Sequence, residues 1–282
     1  MPELPEAEAN RENLTTWLAG ERLLDVAVPD PLTRRGQRES DIRAAAEGQV
    51  VSAVRRRGKF LRLEFSGDGP ALLSHLGMSG KWALRHSGDA DPPAVRAALR
   101  IAGGRRVVFS DKRRFGHFSV CLPADEERLA RLGPEPLGPR FTGKRLATLL
   151  RASHRPVKSL LMDQDRIAGI GNIQAAEALW RAGIHPARQS NELGYREAAK
   201  LQRAIRWTLR RSIRSTRTPE ILYLSDGEAG RQSTSARFFV YGREGAACPR
   251  CRRGVIGRIP IAGRSSFYCP RCQVQQPVVK PA

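Results

Sequence analysis

The chain opens MPELPEAE, which sets Pro2 and Glu3 side by side with Glu6 three residues on. Two chemistries suit that pattern. Proline and acidic residues favour the first turn of a helix, because proline lacks the N–H that would go unpaired there and carboxylates match the positive helix end. With Met1 removed, Pro2 instead becomes a secondary amine on a rigid ring with a carboxylate beside it, a nucleophile with a proton-transfer partner. A second group is less ambiguous. Cys248/Cys251 and Cys269/Cys272 form two C-x-x-C knuckles separated by 17 residues. Four thiolates gathered by two tight turns make a closed tetrahedral site, which predicts one structural Zn2+ with no open coordination position. Six arginines (Arg250, Arg252, Arg253, Arg258, Arg264 and Arg271) lie between the outer cysteines and suit phosphate contact. Cys121 stands alone in an apolar run and is expected in the core.

Three glycine-containing stretches carry weaker signals. In IAGIGNIQAAE, Gly169 and Gly171 let a phosphate approach the backbone at a helix N-terminus, while Asn172 serves equally well as a plain N-cap. SHLGMSG and SDKRRFG bring Met78, Arg113, Arg114 and Phe115 into turns, where such side chains either wedge into a base stack or plug the space under a loop. Charge favours the nucleic-acid reading. Lys plus Arg total 49 against 28 Asp plus Glu, a net charge of +21, so a polyanionic partner is expected before a small neutral substrate. Aromatic residues make up only 6%, which argues against a single-strand binder built on stacking platforms. No long apolar span or secretory signal is present, so a cytosolic protein without a membrane segment is expected.

The elements that must position these residues change character along the chain. Ala7, Leu14, Trp17 and Leu18 recur at helical spacing over Glu6–Ala19, with Gly20 as a stop. Eight short β-type runs follow, from LLDVAVP to HFSVCLP, and predict a β-sandwich or barrel reaching about residue 123. LGPEPLGPRF, with three prolines and two glycines, reads as a domain boundary. Beyond it the period turns helical, in TGKRLATLLRAS, VKSLLMDQ, NIQAAEALWRAG and YREAAKLQRAIRWTLRRSIRS, to about residue 240. The tail after Gln273 is expected to be loose.

Taken in order, MPELPEAE, RRGKFL, HLGMSG, DKRRFG, DQDRIAGIGNI, VYGREG and the paired knuckles closely resemble the formamidopyrimidine-DNA glycosylase family. The resemblance implies an α+β protein with an N-terminal β-sandwich and flanking helix over 2–133, a helical helix-two-turns-helix domain over 134–240 and a zinc ribbon over 241–273. It implies a monomeric base-excision-repair enzyme acting on damaged double-stranded DNA, with the nucleoid if the source is bacterial. Such an enzyme extrudes oxidised purines (8-oxoguanine, formamidopyrimidines), removes them, and cleaves the abasic site by β,δ-elimination through a Schiff base on the mature N-terminal proline. By resemblance Pro2 is the nucleophile, Glu3 the acid/base residue, and Lys59 a phosphate contact that assists base loss. Arg264 completes the catalytic set as a phosphate contact at the extruded nucleotide, and His75, Lys158 and Asn172 hold further phosphates. Met78, Arg113 and Phe115 fill the void, Arg113 facing the orphaned base, with Arg114 beside them on the DNA.

The chain departs from the family at Lys112, where Pro is usual, at Gln174, where Tyr is usual near the base pocket, and at Ser266, where the ribbon usually has Thr. Asp226–Phe238 corresponds to the family's lesion-sensing loop. Two other readings stand beside the leading one. An endonuclease VIII-like enzyme for oxidised pyrimidines is disfavoured by MPELPE in place of PEGPE. A non-catalytic zinc-ribbon lesion binder is disfavoured by Pro2, Glu3 and Lys59 together.

Overall fold

In the computed structural model, which describes residues 2–219, 221, 223 and 238–275, the first helix, α1 (Leu4–Leu18), begins before the apolar periodicity does. Glu3 is its N-cap, and a capping box joins Glu3 to Glu6 in both directions, satisfying donors that a helix start leaves orphaned. Ala19 leaves the helix in an extended conformation, and Gly20 follows with φ +82°. The buried face of α1 includes Leu14, Trp17 and Leu18.

All eight β-type runs form strands: β1 (Asp25–Ala27), β2 (Val51–Arg57), β3 (Phe60–Phe65), β4 (Leu72–His75), β5 (Lys81–Arg85), β6 (Val95–Arg100), β7 (Arg106–Ser110) and β8 (His117–Val120). They make two antiparallel four-stranded sheets, ordered β1-β6-β7-β5 and β2-β3-β4-β8, so the sandwich is realised and the barrel is not. In β3, Leu61 and Leu63 are fully buried while Arg62 and Glu64 are not, the alternation a half-buried strand requires. The sheets meet through Trp82 of β5, whose ring packs on Phe109 of β7 at 5.1 Å and on Phe118 of β8 at 4.9 Å. Its indole N–H reaches Ser74 Oγ on β4, and its backbone N–H donates to the buried Asn10 of α1 at 2.9 Å. Two short helices, α2 (Glu39–Ala46) and α3 (Pro123–Arg131), were not legible; each buries only two side chains, too few to make a period.

After Leu132 come α4 (Gly143–Arg151), α5 (Val157–Leu161), α6 (Asn172–Ala182) and α7 (Tyr195–Thr216), then a hairpin of β9 (Gly257–Ile261) and β10 (Arg264–Tyr268). Packing sorts the chain into two units. The first runs to Arg131 and takes in the described part of Ile213–Arg231; the second holds Leu132–Ser212 and the described part of Gln232–Ala282. Helical periodicity could not show the return of the chain to the first unit. There Arg217 pairs with Glu12 at 2.6 Å, Ile221 and Tyr223 bury against Ala9, and Tyr223 Oη donates to Gly80 O at 2.7 Å. The loop region 226–237 lies outside the described residues. Among the described residues no helix is long and apolar enough to cross a membrane.

Candidate active site

Pro2 and Glu3 are both buried at the start of α1. Glu3 N–H donates to Glu6 Oε2 at 2.8 Å, so the capping box fixes the backbone on which Pro2 sits. Burial, reinforced by the Glu3 charge, pushes the Glu6 carboxyl up to about 7. Behind it, burial raises Glu8, but hydrogen bonds from Arg11 and Arg56 outweigh this and hold it low. Arg56 donates to Glu8 Oε2 at 2.6 Å and to Gly58 O at 2.9 Å, which ties α1 to the β2–β3 turn carrying Lys59.

Lys59 stands close enough to His75 for its charge to act on that ring. Burial, then repulsion from His117 when both rings are protonated and from Lys59 and Arg128, pulls His75 down to about 3, and burial takes His117 to about 4. The two rings stack at 5.6 Å, with Phe60 4.8 Å from His75. His75 Nδ1 accepts the Gly77 N–H at 3.1 Å, which assigns the ring proton to Nε2 and makes the neutral ring a donor. A cavity of about 430 Å3 opens here, lined by Arg35, Arg114, Arg128 and both histidines but by no acidic residue.

The Met78 and Phe115 loops touch backbone to backbone. Gly77 has φ +58°, and a Cβ there would sit 2.3 Å from Gly116 N, so no larger residue fits. Asp111, fully buried, clamps the pair: it accepts the Ser79 hydroxyl, Arg113 N–H at 3.1 Å and Gly116 N–H at 2.7 Å. The clamp holds Phe115 60% exposed, with the Arg113 guanidinium over its ring at 5.3 Å. Met78 is half-buried. Arg114, at φ 57°, is held by Asp30 at 3.1 and 2.6 Å. That bond is the main reason the Asp30 carboxyl lies below its ordinary value.

In the second unit the N-cap of α6 is Gly171, not Asn172. Gly171 takes the extended conformation, and Asn172 becomes the first helical residue, its buried Oδ1 without a hydrogen-bond partner. Gln164 shapes the turn before it by accepting Gly169 N–H at 2.8 Å and donating to Ile170 O at 2.8 Å. Lys158 of α5 presents no surface to solvent. Its ammonium donates to Ser265 O at 2.9 Å and Ser266 Oγ at 2.5 Å, one and two residues past Arg264, which is exposed at the start of β10. Gln174 exchanges hydrogen bonds with Ser212 of α7 at 3.1 and 3.2 Å. Glu177, also on α6, accepts the N–H groups of Phe239, Val240 and Tyr241, each at 2.9 Å.

The four knuckle sulfurs lie within 4.8 Å of one another, with Cys248–Cys272 at 3.9 Å and Cys251–Cys269 at 3.8 Å. A tetrahedron of Zn–S bonds about 2.3 Å long has edges of about 3.8 Å. Gly254 N–H reaches Cys251 Sγ at 3.3 Å, and a Cβ on Gly254 would lie 2.8 Å from Cys269 Sγ, so the cradle is shaped around its sulfurs.

Known proteins decide the lineage. The family model for the formamidopyrimidine-DNA glycosylase N-terminal domain matches residues 1–118, and that for the formamidopyrimidine-DNA glycosylase H2TH domain matches residues 132–220. Formamidopyrimidine-DNA glycosylase from Thermus thermophilus is 41% identical over 265 residues, 92% of this chain and 94% of that protein. The chain belongs to the formamidopyrimidine-DNA glycosylase family. Its relative in Cereibacter sphaeroides is 42% identical over 273 residues, covering 92% of this chain and 95% of that one. Among solved structures, the T. thermophilus MutM (Fpg) protein superposes with a TM-score of 0.81 at 39% identity, covering 98% of this chain and all of that one. Lactococcus lactis Fpg in complex with abasic-site DNA superposes at 0.85 with 29% identity, covering 97% of this chain and 100% of that one. The glycosylase's sulfur geometry fits one structural zinc held by Cys248, Cys251, Cys269 and Cys272.

Sequence reading of this glycosylase missed the buried polar residues behind the motifs. Asp111 and Ser79 stood inside quoted motifs without a role, and Asp30, Gln164 and Glu177 looked like ordinary polar residues. Only Asp111, between a strand and a run of cations, carried a signal that could have been read, because a lone acid there needs partners.

Proposed function

We propose that this enzyme, a base-excision DNA glycosylase and AP lyase by family, removes oxidised purines from duplex DNA, acting as a monomer, with Pro2 as its nucleophile. The carrying observation is the buried Pro2–Glu3 pair locked by the capping box. After removal of Met1 the Pro2 nitrogen attacks C1′ and the base departs with the glycosidic electron pair and a proton. The C1′–O4′ bond then opens as O4′ takes a proton, leaving a C1′ iminium that a secondary amine can form only as a cation. It draws electrons as C2′ loses a proton and the 3′ phosphate leaves by β-elimination, and then as the 5′ phosphate leaves by δ-elimination. Glu3 moves protons at the sugar. The neutral His75, facing a cavity without acids, and the nearby Lys59 support contact with a backbone phosphate, and Arg264 and Asn172 hold others. Met78, Arg113 and Phe115 occupy the void, with Arg114 shaping their loop through Asp30. Lys158, being fully buried, is read here as the tether of the Arg264 hairpin. The chain is divided functionally at 2–133, 134–240 and 241–273, the last part carrying the zinc, which holds the ribbon closed when bound.

Borohydride reduction during reaction with an 8-oxoguanine duplex, beside an abasic-site duplex and an oxidised-pyrimidine duplex, tests this. A covalent adduct is expected that requires Pro2 and forms best with the purine lesion. Intact mass showing Met1 retained in fully active enzyme would exclude the mechanism, and preference for the pyrimidine lesion would move the enzyme to the endonuclease VIII-like reading.

A further inference from the structure

The exposed face of α7 carries one sign of charge. Arg196, Lys200, Arg203 and Arg210 are all exposed. At 100° per residue they fall within roughly 80° of arc and span about 21 Å of the helix. The helix contains one carboxylate, Glu197, and Arg188 holds it, so none of the four cations has an ion pair among the described residues. Half-exposed Trp207 lies on the same stripe, between Arg203 and Arg210, with the Arg181 guanidinium over its ring at 3.4 Å. Folding does not call for this face. The core side of α7 is supplied by Ala198, Leu201, Ala204, Ile205 and Leu209, and like charges three and four residues apart destabilise a helix. A solvated helix face ordinarily mixes signs.

We propose that this stripe is a second DNA contact, gripping the backbone of undamaged duplex and retaining the enzyme between lesions. The proposal rests on the glycosylase reading. Duplex DNA offers a negative charge about every 1.7 Å of axis, and guanidinium forks match phosphate oxygens. An anionic membrane fits less well, because the one aromatic ring on the stripe is capped by a cation and no aliphatic residue is exposed there to enter the lipid.

The test replaces Arg196, Lys200, Arg203 and Arg210 together by Gln in the full-length, zinc-loaded protein. Affinity for undamaged duplex is expected to fall at least tenfold at about 0.1 M salt. The slope of log affinity against log salt should flatten by roughly 2 to 4, at about 0.9 per phosphate contact. Single-turnover excision at saturating enzyme and borohydride trapping should not change, since Pro2 and the void-filling loops are untouched. An unaltered salt slope would overturn the proposal. So would an unaltered slope accompanied by lost binding to phosphatidylserine vesicles, which would assign the stripe to lipid. Failure of trapping in the parent protein would remove the glycosylase reading, and this inference with it.

Discussion

At the residue scale, burial rather than residue type sets the charge states in the candidate site. His75 and His117 are pulled to about 3 and 4 in the folded protein, below the 6.5 of an exposed imidazole. The unfolded chain therefore binds more protons than the folded one through this range. Their contribution to stability is present above about pH 6.5 and is lost as pH falls toward 4. Glu6, raised to about 7, runs the other way: the folded state keeps its proton, and stability declines as pH rises from about 4.5 through 7. His117→Gln isolates the first effect. The drop in Tm between about pH 7 and about pH 5 should be smaller in the variant than in the parent, and an equal drop would mean that His117 does not titrate as its burial requires. In the proposed function the exposed Phe115 and Arg113 serve recognition rather than bond breaking. Extruding a base costs a few kcal/mol of stacking and pairing, whereas an abasic site has no base to extract. Phe115→Ala and Arg113→Ala should therefore lose most excision of an oxidised purine yet keep most abasic-site cleavage in single-turnover assays. Equal loss on both substrates would move these side chains to the reacting sugar.

At the scale of elements, single buried polar residues hold the functional loops. Asp111 accepts from Ser79, Arg113 and Gly116, and an unsatisfied buried donor costs about 1–3 kcal/mol. Asp111→Ala should reproduce the Phe115→Ala split between lesion and abasic substrates although it removes no exposed side chain. Lys158 works the same way on the β9–β10 hairpin. Lys158→Met removes a buried charge with its desolvation penalty together with the hydrogen bonds to Ser265 and Ser266, effects of opposite sign. Global stability should therefore change by less than the cost of a stranded buried group, about 1–3 kcal/mol. Strand cleavage should fall as the Arg264 hairpin loosens, with an unchanged salt slope of DNA binding. A slope lower by roughly 0.9 would instead show Lys158 on a phosphate.

At the scale of the whole molecule, the sandwich and the ribbon rest on different cores. The sandwich is held by apolar burial around Trp82, Phe109 and Phe118, and the ribbon by four thiolates packed with Trp180, Val240 and Ile256. Chelating zinc, or Cys251→Ser, should abolish tight DNA binding and strand cleavage while the sandwich keeps its near-ultraviolet circular dichroism, because the metal's binding energy folds only the small ribbon. Normal cleavage by zinc-free protein would refute this.

Much was decided by local sequence. Short β-type runs marked the strands of the sandwich, with two-residue alternation plainest in FLRLEF, because a strand with one buried face repeats every two residues. The knuckle spacing marked the metal site, because two tight turns suffice to gather four thiolates. The ordered motifs around Pro2, Met78 and Phe115 pointed to the family. Tertiary structure decided what no local pattern encodes: two sheets rather than a barrel, the return of Tyr223 to Gly80, the burial of Lys158, Gly171 rather than Asn172 as cap, and the Asp111 and Glu177 anchors. Most of these depend on partners tens of residues away, and a polar side chain carries no mark of whether it will meet water or a distant backbone N–H until the chain has folded.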